Sequence, residues 1–131
     1  MNRVTGIGGI YFTCADPART REWYKSHLGI DSGDDGRAFR WRDVDNPSKT
    51  GHTVWGLFPA GKKYFDPGSK SFMINCRVEN LEELINTLQR EGVTIVGSIE
   101  KYEYGKFGWI IDPDGNKIEL WEPVDELLPH T

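Results

Sequence analysis

Long apolar stretches are missing from this 131-residue chain. Its purely apolar runs last only a few residues, against the roughly 20 that a bilayer-spanning helix needs, so no membrane partner is expected. The opening Met-Asn-Arg-Val-Thr-Gly has no apolar signal core, so secretion by the ordinary route is not expected and a cytoplasmic location is. Cysteine is scarce. Cys14 and Cys76 both fall in β-rich stretches and read as free thiols in a reducing compartment, so a disulfide scaffold is excluded. There is no basic excess either: 16 Lys and Arg stand against 20 Asp and Glu, a net charge of −4. A phosphate-binding face calls for the opposite balance, so no nucleic-acid partner is expected.

What is present is enough for one packed domain. Hydrophobic residues make up 37% of the chain and aromatic residues 12%, and this length supports a core without metal or disulfide staples. The chain reads as two rounds of one pattern. Ile7 to Cys14 is a strand, Asp16 caps a helix with Pro17 at its first position, and Trp23, Tyr24 and Leu28 form a helical stripe ending at Gly29. Phe72 to Val78 is again a strand, Asn80 stands at the cap position, and Leu81, Leu84, Ile85 and Leu88 recur at helical spacing up to Gly92. Gly29 and Gly92 are separated by the same interval as Leu57-Phe58 and Leu120-Trp121.

Each helix is followed by short strand-like segments. In the first round these are a weak strand after Gly29, then 37–42 and 53–58; in the second they are 96–102, 107–111 and 117–122. The expected organisation is a single domain over 1–131, with one βαβββ module over 6–58, a Gly/Lys/Pro/Ser-rich crossover over 59–71, a second module over 72–123 and a tail over 124–131 holding a helical turn. The fold class is α+β, two tandem modules forming a cupped mixed sheet around a central cavity.

The most informative local motif is Ile111-Asp112-Pro113-Asp114-Gly115-Asn116-Lys117-Ile118-Glu119-Leu120-Trp121. Pro fixes one φ and Gly accepts a positive one, so the centre is a tight turn; the alternating flanks make it a hairpin. This hairpin, the 10–16 strand, the Trp23-Tyr24…Leu28-Gly29 helix end and the 78–81 strand-to-helix step together resemble the glyoxalase/bleomycin-resistance/dioxygenase (vicinal oxygen chelate) superfamily. The resemblance runs from about Gly6 to Pro123. It implies the fold more sharply than the chemistry, because that superfamily holds isomerases, epimerases, dioxygenases, thiol transferases and drug-sequestering proteins.

Active members place metal donors on the first, fourth, fifth and eighth strands. Here those places carry Gly9, Gly56, Met73 and Glu119, so three of the four lack a donor, and a divalent metal needs at least three. His27 near a helix end, His52 in a loop before the fourth strand and His130 in the tail do not replace them. No metal is assigned, and an iron dioxygenase, which needs two His and a carboxylate, is set aside.

Strand alternation turns Glu119, Lys117 and Trp121 into the cup, together with Tyr11, Thr13, Phe58, Met73, Asn75 and Arg77. The charge-rich 98–106 stretch reads as a solvated strand and loop, with a flap over the cavity hinged at Tyr104-Gly105 as the alternative, and Tyr104 is counted with the ligand-binding residues. Arg77 and Glu119 are candidates to pair with each other. Two functions follow from different classes. One is a bleomycin-resistance-like protein that binds a small, partly aromatic or cationic molecule without a metal. The other is a glyoxalase-type lyase or isomerase with Glu119 as catalytic general base. The resemblance also implies a homodimer.

Overall fold

The computed structural model describes residues 3–61 and 63–128; His130 lies outside them. Seven strands are found among the described residues: β1 (Val4–Cys14), β2 (Arg37–Arg42), β3 (Thr50–Pro59), β4 (Phe72–Val78), β5 (Thr94–Tyr102), β6 (Gly105–Ile111) and β7 (Lys117–Pro123). Two helices, α1 (Pro17–Leu28) and α2 (Leu81–Arg90), and two short 3-10 turns, Lys63–Phe65 and Asp125–Leu127, complete the elements. The strands form one mixed sheet in the order β2-β3-β1-β4-β7-β6-β5. β1 runs parallel to β3 and antiparallel to β4, and β4 runs parallel to β7. The two halves therefore meet along the β1–β4 seam in an α+β architecture of the expected kind.

Local chemistry sets the helix ends. The Asp16 carboxylate accepts the Arg19 N–H at 3.2 Å, Pro17 occupies the first turn, and Gly29 closes α1 at φ 70°. At α2 the expected cap differs. Asn80 stands in the left-handed region (φ 51°) and its side chain makes no capping bond. Glu122 of β7 takes the role instead, accepting the Leu81 N–H at 2.8 Å. That bond ties the helix start to the sheet.

The two helices pack unequally. Leu81, Leu84 and Ile85 are buried against Val78 and Leu120, with Ile118 and Ile110 alongside. Each such side chain contributes roughly 1.5–3 kcal/mol by leaving water. By contrast α1 has no fully buried residue among those described; Trp23 is 52% exposed and Leu28 is exposed. Its anchorage is Tyr24, whose ring meets Phe12 and Trp55 edge-on at 6.1 and 5.1 Å. The stripe expected on α1 is thus mostly at the surface, because three apolar side chains on a helix rich in Arg and Lys cannot cover the sheet.

The strand expected after Gly29 is not formed. In its place lies a single bridge between Gly33 and Gly36. Gly36 sits at φ 86°, and a Cβ there would come within 2.3 Å of the Trp55 carbonyl oxygen, so this turn is pressed against β3. The consequence is positional: Asp34 and Asp35 reach the mouth of the cup. The final hairpin forms as its residues dictate. Asp112 accepts the Asp114 and Asn116 N–H groups, both at 2.9 Å, and Gly115 takes φ 84°.

Candidate functional site

Glu119 stands on β7, facing the concave side beside Asn75 of β4. Its side chain is the chemical centre of the cup and is only 2% exposed. One carboxylate oxygen accepts the Asn75 amide N–H at 2.6 Å. The other accepts the Trp109 indole N–H at 2.9 Å and the Tyr64 hydroxyl. Burial pushes the carboxyl above its ordinary range, and the bonds from Tyr64, Asn75 and Trp109 only partly offset that. Burial and the neighbouring carboxylate also push the Tyr64 and Tyr11 hydroxyls up, so both phenols stay protonated donors.

Above this floor is a cavity of about 720 Å³, within the range of small-molecule sites. It is walled by two aromatic groups. The first half and the crossover supply Tyr11, Phe58 and Tyr64: Tyr11 meets Phe58 edge-on at 5.7 Å, and Phe58 stacks on Tyr64 at 5.6 Å with 9° between planes. The second half supplies Tyr104, Phe107 and Trp121, the last two stacked at 5.9 Å. Leu127 and Leu128 add an apolar wall, and Asp34, Asp35 and Gly36 lie at the rim.

The expected site residues divide into two sets. Glu119, Tyr11, Phe58, Tyr104 and Trp121 line the cavity. Thr13, Met73, Asn75 and Arg77 are not part of the lining. Thr13 donates its hydroxyl to the Ser71 carbonyl. Met73 packs with Phe65 and Trp109 below the site, and Asn75 is fully buried in its bond to Glu119.

Arg77 does not pair with Glu119. Its guanidinium grips Asp125 with two bonds of 2.9 and 2.5 Å and reaches the His52 carbonyl at 3.2 Å. His52 is inside β3 rather than in a loop, fully buried, with Nδ1 2.9 Å from Asp125. Burial pushes the Asp125 carboxyl up, but the Arg77 and His52 bonds outweigh it and hold the group below the usual carboxylate range. This buried cluster pins the 3-10 turn Asp125–Leu127 on the sheet and so places Leu127 and Leu128 at the cavity.

Several contributors carry no site signal in the sequence: the lining residues Asp34, Asp35, Phe107, Leu127 and Leu128, and three that organise the site. Tyr64 lies in the crossover, which reads as plain linker. Asp125 lies in what reads as a tail. Trp109 lies in the 107–111 strand with no motif of its own. A Tyr-Phe pair inside a Gly/Lys-rich crossover was the one available signal for Tyr64.

The glycines at the expected metal positions have a clear local cause. A Cβ on Gly9 would come within 2.6 Å of the Tyr11 hydroxyl oxygen, and one on Gly56 within 2.6 Å of Cδ1 of the same ring. The room those glycines leave is therefore filled by the chain's own Tyr11. Among the described residues no three of His, Cys, Asp and Glu converge as metal ligands would.

Comparison with known proteins agrees with this architecture. Residues 6–120 match the family described as the Glyoxalase/Bleomycin resistance protein/Dioxygenase superfamily. No curated protein matches the chain in sequence. Among solved structures, methylmalonyl-CoA epimerase from Mycobacterium tuberculosis is 23% identical with a TM-score of 0.60, over 97% of this chain and 93% of that one. A Streptomyces coelicolor methylmalonyl-CoA epimerase variant bound to 2-nitronate-propionyl-CoA is 15% identical with a TM-score of 0.66, over 92% and 99%. An NAD-dependent benzaldehyde dehydrogenase structure from Legionella pneumophila is 14% identical with a TM-score of 0.56, over 88% and 97%. At such identities the shared property is the fold.

Proposed function

The chain belongs to the glyoxalase/bleomycin resistance protein/dioxygenase superfamily, and from that premise we propose that it binds a small, partly aromatic molecule in the cup without the divalent metal used by other members. The observation that carries this reading is the occupancy of the would-be metal position by protein. Tyr11 covers Gly9 and Gly56, and Met73 is packed with Phe65 and Trp109. The one carboxylate, Glu119, spends its oxygens on three donors. A metal needs convergent, unprotonated ligands with an open position, and these residues do not fit one. No step is routed through a metal. What the site supplies is a set of ring faces and edges, a buried carboxylate and a space of the right size.

A second reading rests on the elevated Glu119 carboxyl. A desolvated carboxylate on a cavity floor has the basicity for removing a proton next to a carbonyl, as a lyase or isomerase of the glyoxalase kind requires. The three donors argue for the binding role, because each lowers the oxygen's availability as a base.

One experiment separates the readings. Purified protein is assayed for bound metal, then melted with and without divalent metals and with small aromatic or 2-oxoaldehyde compounds. The binding reading expects substoichiometric metal, no metal-induced shift, and a rise in Tm with an aromatic ligand; at a hundredfold excess over Kd the gain is about 2.7 kcal/mol. A stoichiometric metal that supports turnover overturns it. Solvent exchange of a substrate α-proton that is lost in Glu119→Gln moves the assignment to the lyase or isomerase.

The proposal extends to a homodimer. The outer faces of β1 and β4 lie between the two helices, and Ile7, Ile10 and Phe72 are exposed there, an apolar strip that a second copy of the chain would cover.

A further inference from the structure

The cavity's charge is as one-sided as its shape is aromatic. Its lining carries Asp34, Asp35 and Glu119 and, among the described residues, no Lys, Arg or His. Six aromatic side chains, with aliphatic residues and glycines, make up the rest. Ring faces present the negative side of their quadrupole, which attracts a cation, most strongly where water is excluded. A concave, low-dielectric wall of one sign focuses its field into the space it encloses. Both effects act in the same direction here.

We propose that the ligand is a cationic aromatic amine, a molecule with a ring that lies among the aromatic walls and a protonated nitrogen directed toward the Asp34–Asp35 turn. This rests on the aromatic-binding reading above and adds the ligand's charge. The turn is built for that place. Gly36 at φ 86° lets it lie against the β3 backbone, and the Gly33–Gly36 bridge closes it, so both carboxylates stand at the mouth. Asp34 is engaged by Arg21 at 3.3 Å, so Asp35 is the main charge at the rim. Glu119 stands at the floor as an acceptor, and burial pushes its carboxyl toward the neutral form, so the charge selection rests on the rim. The Glu119 oxygens are met by neutral donors, whereas Lys117, the cation that acts on it through space, is anchored on the Tyr64 carbonyl oxygen at 2.6 Å and is absent from the lining.

The same charge pattern disfavours anions. A CoA thioester, of the kind that the Streptomyces coelicolor epimerase variant holds, carries several phosphate charges, and this rim answers them with aspartates.

The test is calorimetric titration with three naphthalene probes that share a two-carbon arm and end in an ammonium, a hydroxyl or a carboxylate. The ammonium probe is expected to bind about tenfold tighter than the alcohol, with the carboxylate weakest. The ammonium-to-alcohol ratio is expected to shrink in Asp34→Asn/Asp35→Asn and with added salt. Equal affinity of ammonium and alcohol, or tightest binding of the carboxylate, overturns the charge selection while aromatic binding stands. Failure of all three probes to bind overturns both readings.

Discussion

At the scale of single residues, Glu119 concentrates the energetic tension of the molecule. A carboxyl whose folded pKa is raised binds its proton more tightly in the native state than in the unfolded chain. Its contribution is therefore fully present below the unfolded value, near 4.3 for a free Glu, and is lost as pH rises through the elevated folded value. Asp125 works in the opposite sense. Its folded pKa is depressed, so its contribution is present above the ordinary carboxylate range and lost as pH falls. Glu119→Gln keeps the side-chain shape and removes the titration. The variant is expected to lose the part of the stability decline above about pH 4.3 that belongs to Glu119, while keeping the acid-side loss due to Asp125. Melting curves of both proteins across pH 3–9 check this; superimposable pH profiles would show that Glu119 titrates as an ordinary exposed acid. Legibility at this scale was uneven. Inward projection of Glu119, Tyr11, Phe58 and Trp121 followed from strand alternation, since neighbours on a strand point to opposite faces. Which of those side chains would touch the cavity and which would be sealed beneath it was not legible, because burial depends on what lies above, and Tyr64 and Phe65 come from a segment with no periodicity.

Among the elements, the 3-10 turn Asp125–Leu127 has the largest effect for its size. Asp125 neutralises Arg77 inside the protein and bonds His52, so its removal leaves a buried guanidinium without its anion. Asp125→Ala is expected to cost about 3 kcal/mol, read as a shift in the denaturant midpoint at constant slope. Because Leu127 and Leu128 form part of the cavity wall, aromatic-ligand affinity should fall as well. A variant with wild-type stability and affinity would show that the turn stays in place without its latch. The helices teach a related lesson. Caps and stops at Asp16, Pro17 and Gly29 were readable because they act within one turn of the chain. The cap of α2 was not, since its acceptor, Glu122, is supplied by a strand forty-one residues further on. Likewise the strand expected after Gly29 shrank to one bridge, because two glycines around two aspartates favour a turn over a ladder.

For the whole molecule, the uneven packing of α1 and α2 leaves the central seam of the sheet without cover. Ile7 and Ile10 of β1 are exposed beside Phe72 of β4. Such an apolar strip on a chain of net charge −4 is the natural contact for a second copy. Sedimentation at micromolar concentration is expected to give a dimer mass, and Ile10→Glu, which puts a charge in the strip without touching the cavity, to give a monomer. A monomeric wild-type protein removes the homodimer from the proposal.

By itself the sequence determined both helices, seven of the eight expected strands, their order and the family, since turn chemistry, capping and hydrophobic period are written in neighbouring residues. The tertiary structure alone decided that Tyr11 fills the space two glycines leave, that Tyr64 closes on Glu119, and that Asp125 holds Arg77. Each of these joins residues from distant segments, and only the closed sheet sets the distance between them.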